Sequence, residues 1–201
     1  MSIGATVIVI DDDTKSRHAV CRLVESIGLR SESFTTANNF LEGYKGAHRG
    51  CIVAELQMRE MSGVEFIDEL AIRDIALPVV VVTAHPETPW IVQVMKRGAI
   101  TVLEKPCKDD DLLHAVGEAI QRNDSERARA SKRRTTHRRI ASLSETERAV
   151  MELMVAGVAN KVIAKKLSVS VRTVENRRHA VFEKMQVHSI TELVRIVVES
   201  C

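Results

Sequence analysis

Short runs of Val and Ile alternate five times with amphipathic segments in the first 121 residues, and this pattern limits the fold more than any other feature. Strands that alternate with helices form a parallel sheet covered by helices on both faces. The predicted strands are residues 6–10, 30–34, 51–55, 78–83 and 101–104. The predicted helices lie near residues 15–27, 37–44, 63–72, 89–97 and 109–121. The expected architecture is a doubly wound α/β domain of five βα units.

The charged residues divide the chain into an acidic part and a basic part. Residues 1–120 contain 12 Lys or Arg and 18 Asp or Glu, whereas residues 121–201 contain 17 and 9. This asymmetry suggests a control module joined to a nucleic-acid-binding module. No apolar run is long enough to cross a bilayer, and the N-terminal residues become acidic too early for a signal peptide. We therefore predict a cytoplasmic protein with no membrane partner.

The cysteines are widely spaced and form no CxxC motif: Cys21, Cys51, Cys107 and Cys201. This spacing is typical of reduced thiols in a cytoplasmic protein, and we expect three of them to be buried. A redox switch is the less favoured alternative.

Parallel α/β folds place their chemistry at the carboxyl ends of the strands. The residues at those ends carry several carboxylates, a hydroxyl group and an ammonium group: Asp11, Asp12, Asp13, Glu55, Thr83, Ala84 and Lys105. Mg²⁺ binds through one or two carboxylates together with waters and a phosphate, so this pocket suits that ion. Lysine and threonine side chains are suited to hold phosphate oxygens.

Residues 4–121 resemble the receiver domain of two-component response regulators, which has a flavodoxin-like fold. Four motifs carry the resemblance: IDDD at 10–13, MxxMSG at 58–63, VVVTAH at 80–85 and GAITVLEKP at 98–106. The resemblance implies that Asp11 and Asp12 bind Mg²⁺, with Glu55 as the third carboxylate of the site. It also implies that Thr83, Ala84 and Lys105 contact a phosphoryl group. A cis peptide bond is expected between Lys105 and Pro106.

Four positions depart from the receiver pattern. Glu55 stands at the position of the phosphate-accepting Asp, and Val102 stands at the position of the aromatic switch residue. Arg59 replaces the usual Pro and Cys107 replaces the usual Phe. The longer side chain of Glu55 moves its carboxylate by about 1.5 Å, and a displacement of about 1 Å costs on the order of a hundredfold in a positioned reaction. Ordinary phosphoryl acceptance is therefore not expected.

Several interpretations of Glu55 stay open. Its carboxylate, within reach of Lys105 and Thr83, would bias the receiver toward its active form without phosphorylation. Alternatively, the receiver has lost its input and serves only for dimerisation or protein interaction. A phosphorelay element is a third interpretation, and a substitution introduced to trap an activated state is a fourth.

Residues 122–141 have no apolar stripe, and from Arg127 onward they carry seven Lys or Arg residues and no acidic residue. This composition is typical of a solvated linker, either as a helical extension or as a flexible tether. The alternative is a basic arm that adds phosphate contacts to DNA and steepens the salt dependence of binding.

Residues 142–201 contain four helical segments. Ser144 and Glu147 form a capping box, and Gly157 ends the helix that follows. Residues 160–167 form a short second helix, Ser170 caps a third over residues 172–185, and residues 189–200 form a fourth. Two short helices that meet across a tight turn are typical of a helix-turn-helix.

The third of these helices has two distinct faces. Val174, Val181 and Met185 form an apolar face, and the opposite face is polar: Arg172, Asn176, His179 and Glu183. In a basic domain, such a polar face suits the DNA major groove. A solvated amphipathic helix is the alternative for an isolated segment.

This half resembles the LuxR-type helix-turn-helix of FixJ/NarL-class regulators. The motifs are LSETERAVMELMVAGVANKVIAKKL at 143–167, SVSVRTVE at 168–175 and KMQVHS at 184–189. The resemblance implies base contacts from Glu175, Asn176 and His179. Residues that would contact phosphates are Lys161, Arg172, Thr173, Arg177 and Arg178.

The sequence thus predicts a DNA-binding transcriptional regulator and not an enzyme. Its domains would be a receiver over residues 1–121, a basic linker over 122–141 and a four-helix DNA reader over 142–201. The resemblance implies a homodimer formed through the fourth helix, fifth strand and fifth helix, over residues 90–97 and 102–119. A sensor histidine kinase and RNA polymerase are the further partners that such a regulator implies.

Overall fold

A computed structural model describes residues 4–46 and 49–200. The chain divides into two compact units, an N-terminal unit that ends at Glu126 and a C-terminal unit that begins at Arg127. Within the described ranges, no helix combines the length and the apolar character that a membrane span requires.

The N-terminal unit contains one parallel sheet with the strand order β2-β1-β3-β4-β5. Its strands are β1 (Thr6–Ile10), β2 (Arg30–Phe34), β3 (Gly50–Ala54), β4 (Val79–Thr83) and β5 (Thr101–Glu104). β1, β3 and β4 are buried throughout, which explains their nearly continuous apolar sequences.

Three strand boundaries, both ends of β3 and the start of β4, differ from the sequence-based prediction by one residue each. β3 begins at Gly50, where an added Cβ would lie 1.8 Å from the carbonyl oxygen of Thr6, so only glycine permits this approach. Because β3 ends at Ala54, Glu55 follows the strand instead of closing it. β4 begins after Pro78, which has no N–H to donate to a strand ladder.

Five helices cover the sheet, the last of them through its N-terminal part only: α1 (Thr14–Ser26), α2 (Ala37–Gly43), α3 (Gly63–Ile72), α4 (Thr88–Lys96) and α5 (Asp109–Ala141). Alternate strand residues point to opposite faces. Ile8 and Ile10 pack in a core cluster with residues of α2, α3 and α4. Val7 and Val9 pack in a second cluster with residues of α1 and α5. This doubly wound arrangement confirms the predicted α/β fold.

Helix α5 is 33 residues long and includes the whole of residues 122–141, whereas the sequence pattern predicts a helix that ends near residue 121. Leu112, Val116 and Ile120 supply its apolar stripe in the N-terminal unit. Beyond them the sequence lacks that stripe but also lacks Gly and Pro, so nothing in it terminates the helix. The segment 122–141 therefore has the helical form of the two that its composition allows.

The C-terminal unit contains four further helices: α6 (Glu145–Val155), α7 (Asn160–Lys166), α8 (Val171–Met185) and α9 (Ile190–Val198). Ser144 accepts a hydrogen bond from the amide of Glu147, and the Glu147 side chain accepts one from the amide of Ser144, which completes the predicted capping box. The core of this unit includes Val150, Val181 and Leu193. These helices match the predicted all-α domain.

One of the described cysteines is buried, which corrects the expectation of three. Cys51 lies inside β3, and burial raises the pKa of its thiol to about 12. Cys21 and Cys107 are free and partly exposed, because each lies at the margin of a core cluster. Cys201 lies outside the described residues.

Candidate acidic pocket and nucleic-acid interface

The predicted pocket residues meet at the carboxyl ends of four neighbouring strands. Asp11 directly follows β1, Glu55 follows β3, Thr83 ends β4 and Lys105 follows β5. Asp11, Glu55 and Thr83 are buried, and Lys105 is half-buried. The backbone amide of Lys105 donates to the carbonyl oxygen of Thr83, which holds the lysine beside the end of β4.

Lys105 bridges two buried carboxylates. Its Nζ atom lies 2.6 Å from Asp11 Oδ2 and 2.7 Å from Glu55 Oε2. Burial alone would lower the pKa of the ammonium group, but the hydrogen bonds to Asp11 and Glu55 raise it above its ordinary value. The lysine is therefore held in its charged form and compensates the repulsion between the two carboxylates.

Both carboxylates also accept hydrogen bonds from groups other than Lys105. Asp11 Oδ1 accepts from the amide of Asp13 at 2.9 Å, and Asp11 Oδ2 accepts from Ser16 Oγ at 2.7 Å. Glu55 Oε1 accepts from the amides of Leu56 at 2.8 Å and Gln57 at 3.3 Å. Both carboxylates are thus fixed by local backbone donors on one side and by Lys105 on the other.

Asp13 caps a helix and takes no part in the lysine bridge. Its Oδ1 atom accepts from the amides of Lys15 and Ser16 at the start of α1. The hydrogen bonds from Ser16 and then Lys15 lower the pKa of its carboxyl group. Asp13 therefore stabilises the first turn of α1.

Of the residues predicted to contact a phosphoryl group, Lys105 forms a hydrogen bond with Glu55, but Thr83 and Ala84, both among the described residues, do not. Thr83 Oγ1 accepts from the amide of His85 at 3.2 Å. Among the hydrogen bonds of residues 4–46 and 49–200, none joins Glu55 to Thr83. Ala84 is exposed, and Val102 is partly buried against the core cluster beneath α2, α3 and α4. The Lys105–Pro106 peptide bond is cis, as expected.

The arrangement of donors around the carboxylates does not fit a divalent cation. Lys105 occupies the space between Asp11 and Glu55, and Arg59 Nε lies 3.2 Å from Asp12 Oδ2. In the part of the chain that the structure describes, no group of three or more acidic, histidine or cysteine side chains is placed to hold a metal. Each of the three predicted ligands contacts a side-chain cation: Asp11 and Glu55 contact Lys105, and Asp12 contacts Arg59.

The sequence analysis assigned no role to two basic side chains at this end of the sheet, Arg59 and Arg17. Arg59 was recognised only as a departure from the receiver pattern. The buried Arg17 donates from Nη1 to the carbonyl oxygen of Asp11 at 2.7 Å. Its spacing from Val20 and Val24 on α1 was the available signal, because residues three and seven apart share one helix face.

The second site is the exposed face of α8. Its N-cap Ser170 accepts from the amide of Thr173 at 3.0 Å, and Val174, Val181 and Met185 are buried on the opposite face. The exposed residues include the predicted base-contacting side chains and two predicted phosphate contacts: Glu175, Asn176, His179, Arg172 and, on α7, Lys161. Thr173, Arg177 and Arg178 are partly exposed.

Two contacts within this unit orient the polar face of α8. Arg178 stacks over the ring of Phe182, with 5.8 Å between the guanidinium carbon and the ring centroid. His179 Nε2 lies 3.5 Å from Glu183 Oε1, one helical turn away. The α8 face thus presents an amide, an imidazole and several cations to a partner, which is the chemistry that reads DNA base edges and phosphates.

A further contact ties the end of α5 to the end of α8. Arg139 donates from Nη1 to the carbonyl oxygen of Met185 at 3.0 Å and from Nη2 to Gln186 Oε1. Gln186 caps α8 in a left-handed conformation. Sequence reasoning placed Arg139 only in a solvated linker and missed this contact, because Arg139 and Met185 lie 46 positions apart.

Known proteins share both halves of the chain. Residues 7–117 match the response regulator receiver domain, and residues 141–197 match the bacterial regulatory proteins of the luxR family. The transcriptional regulatory protein FixJ of Bradyrhizobium diazoefficiens is 34% identical over 200 residues, which span 100% of this chain and 98% of that protein. FixJ of Azorhizobium caulinodans is 41% identical over 188 residues, which span 94% of this chain and 89% of that protein.

A solved structure shows the same likeness. The response regulator StyR superposes with a TM-score of 0.87 at 34% identity, over 98% of this chain and 99% of that one. The match extends through the sheet that carries the acidic pocket and through the helices that present the α8 face. The chain belongs to the FixJ/NarL class of two-component response regulators, in which a receiver domain precedes a LuxR-type helix-turn-helix domain.

Proposed function

We propose that this transcriptional regulator binds DNA through α8 and that Glu55 biases its receiver toward the active form without phosphorylation. The proposed effect of Glu55 rests on one observation. Glu55 Oε2 lies 2.7 Å from Lys105 Nζ, so the carboxylate takes a lysine contact that the receiver family uses for a phosphoryl group. The Glu55 carboxylate, one methylene farther from the backbone than that of Asp, then contacts the lysine in place of a phosphoryl group, with the same single charge as an unphosphorylated Asp.

The mimicry is partial in charge. A glutamate carries one negative charge, whereas an aspartyl phosphate carries roughly −1.5 to −2 by analogy with other phosphorylated side chains. Only Oε2 faces the lysine, since Oε1 is held by the amides of Leu56 and Gln57. We therefore propose a bias toward the active form that is smaller than full phosphorylation would give.

On the DNA side, we propose that Glu175, Asn176 and His179 face base edges. Asn can bond adenine through two hydrogen bonds, and Glu can accept from cytosine. The phosphates would be bound by the flanking residues Lys161, Arg172, Thr173, Arg177 and Arg178. The exposure of Glu175, Asn176 and His179 on the face opposite the core supports this assignment.

We propose that the protein binds paired half-sites as a homodimer, since one short helix reads only a few base pairs. Trp90, Val92 and Met95 are exposed apolar side chains of α4, one of the elements that the family uses for dimerisation. Contact with RNA polymerase on DNA and a cytoplasmic location complete the proposal.

A second candidate is a receiver that serves only as a dimerisation or interaction module. Two observations favour it: the Thr83 hydroxyl bonds the amide of His85, and the switch position holds the aliphatic Val102 packed against the core. In that case the charge of Glu55 would not be transmitted to α4 and β5. A phosphorelay element would need an acceptor Asp, and Glu55 argues against it.

The receiver family implies a sensor histidine kinase, but under either candidate phosphoryl transfer from it is not required. The test compares the dimerisation constant and DNA affinity of the protein with those of Glu55→Asp and Glu55→Ala, without a phosphodonor. If Glu55 biases the receiver, the unaltered protein binds at least about fivefold more tightly than both variants, the lower range of allosteric couplings. Equal values for all three would establish the uncoupled module.

A further inference from the structure

The acidic pocket contains two side-chain cations, and one of them is foreign to the receiver pattern. Asp11, Asp12 and Glu55 contribute three negative charges, and Lys105 contacts two of them. Arg59 lies 3.2 Å from the third carboxylate, that of Asp12. Arg59 stands where the receiver pattern has Pro, so this chain carries one positive charge more at the mouth of the pocket.

We propose that Arg59 supplies, in addition to Lys105, part of the positive charge that the receiver family obtains from Mg²⁺, so that this pocket is stable without a metal. The two cations reduce the net charge of the five side chains from −3 to −1. With Pro at position 59 the same group would carry −2, the charge that one divalent cation neutralises.

The geometry of the carboxylates supports the same conclusion. Mg²⁺ requires near-octahedral oxygen ligands at about 2.0–2.1 Å and gives up its waters reluctantly. Here the oxygens of Asp11 accept from Ser16, the Asp13 amide and Lys105, and those of Glu55 accept from two backbone amides and Lys105. A metal would have to displace the ammonium group from a carboxylate and would then lie close to two positive side chains.

Arg59 is the residue that can be tested without harm to the fold. Its side chain is 84% exposed, and its contact with Asp12 is an ion pair at the surface. Replacing it by a neutral residue of similar length changes the charge at the mouth of the pocket and leaves the core intact. Removing one unit charge about 5 Å from a bound dication should strengthen Mg²⁺ binding on the order of tenfold, less at high salt.

This inference goes beyond the proposed function, and its test involves neither DNA nor dimerisation. Mg²⁺ is titrated into the full-length protein at low ionic strength by isothermal calorimetry, and the fluorescence of Trp90, the single tryptophan, is followed in parallel. The same titrations are made on Arg59→Gln, on the charge-preserving Arg59→Lys and on Arg73→Gln. Arg73 forms an exposed ion pair with Glu69 at the far end of α3 and controls for the loss of any one positive charge.

The expected result is no saturable Mg²⁺ binding at millimolar concentrations for the unaltered protein, Arg59→Lys and Arg73→Gln. Arg59→Gln should bind the ion on the order of tenfold more tightly than these three. Submillimolar binding by the unaltered protein would overturn the proposal. So would an Arg59→Gln variant that binds Mg²⁺ no better than Arg73→Gln.

Discussion

Lys184 of α8 reaches the first turn of α6, where its Nζ atom lies 2.6 Å from Oε2 of Glu147. The same oxygen of Glu147 accepts from the amide of Ser144 and so closes the capping box of α6. The carboxylate of Glu147 therefore caps α6 and joins it to the end of α8. Because α6 and α8 share one core, this contact links the stability of the C-terminal unit to the helix whose polar face is proposed to read DNA.

The first prediction concerns the pH dependence of the DNA-binding domain. The hydrogen bond from Lys184, followed by that from the Ser144 amide, lowers the pKa of Glu147 below its ordinary value of 4.5. A carboxyl group with a lowered folded-state pKa stabilises the protein above its unfolded-state pKa, and this contribution is lost as the pH falls through the folded-state value. We expect the protection factors of the α6 and α8 amides in the full-length protein, which compare each exchange rate with that of an unfolded chain at the same pH, to fall below about pH 4.5. Glu147→Gln should have lower protection factors at neutral pH and a smaller loss of protection in acid.

The second prediction tests the lysine bridge of the acidic pocket. Lys105→Met would leave the buried carboxylates of Asp11 and Glu55 facing each other without a cation. Breaking a buried ion pair from one side costs about 3–5 kcal/mol, and because Lys105 is partly exposed the expected loss is about 2–4 kcal/mol. Urea unfolding followed by Trp90 fluorescence measures the receiver specifically. Glu55→Gln combined with Lys105→Met should recover part of the loss, whereas a strictly additive double variant would contradict the bridge.

The third prediction concerns the core of the LuxR-type domain. Leu193 of α9 is fully buried, so Leu193→Ala should destabilise this domain by about 2–5 kcal/mol through lost apolar burial and a residual cavity. Val198, near the end of the same helix, is 62% exposed, and Val198→Ala should change the free energy of unfolding by less than about 0.5 kcal/mol. Thermal unfolding of both variants, followed by circular dichroism, checks the contrast. Equal effects would mean that α9 does not pack as described.

The fourth prediction separates base contacts from phosphate contacts on α8. Asn176→Ala should lose about 1–3 kcal/mol on a selected binding sequence and very little on random duplex DNA, because a base contact carries the sequence preference. Arg172→Ala should weaken binding to both duplexes alike and reduce the slope of log K against log salt by about 1. Fluorescence anisotropy over a series of salt concentrations measures both quantities. Uniform weakening by Asn176→Ala would remove it from the base-contacting set.

Much of the fold was predictable because its signals are local. The five strands and the helices α1 to α4 lie within one residue of their predicted bounds, since burial on a sheet or a helix face imposes a period that the sequence repeats. The caps of α6 and α8, Ser144 and Ser170, were predictable for the same reason: a cap bonds an amide three residues away. The predicted end of α5, near residue 121, was wrong. A solvated helix needs no apolar stripe, so the charged part of α5 shows no helical period in its sequence.

Most residues of the acidic pocket and of the α8 face could also be predicted from the sequence. The carboxyl ends of parallel strands lie at one edge of the sheet. The sequence therefore predicted that the residues at these ends form one pocket: Asp11, Glu55, Thr83 and Lys105. The two faces of α8 followed from its helical period, and the structure buries the predicted apolar residues and exposes the polar ones. These results depend only on geometry that repeats along the chain.

The sequence placed the Glu55 carboxylate within reach of Lys105, but the complete pairing of charges in the pocket was decided by the tertiary structure. Lys105 lies 94 positions from Asp11 and 50 from Glu55, and nothing along the chain specifies that its ammonium group contacts both. Arg59 meets Asp12 only because the loop after β3 passes beside the loop after β1, a consequence of the strand order β2-β1-β3. The sequence determined which charged groups reach this edge of the sheet. Their partners were decided by folding, because Coulomb interactions depend on distances in space that sequence separation does not encode.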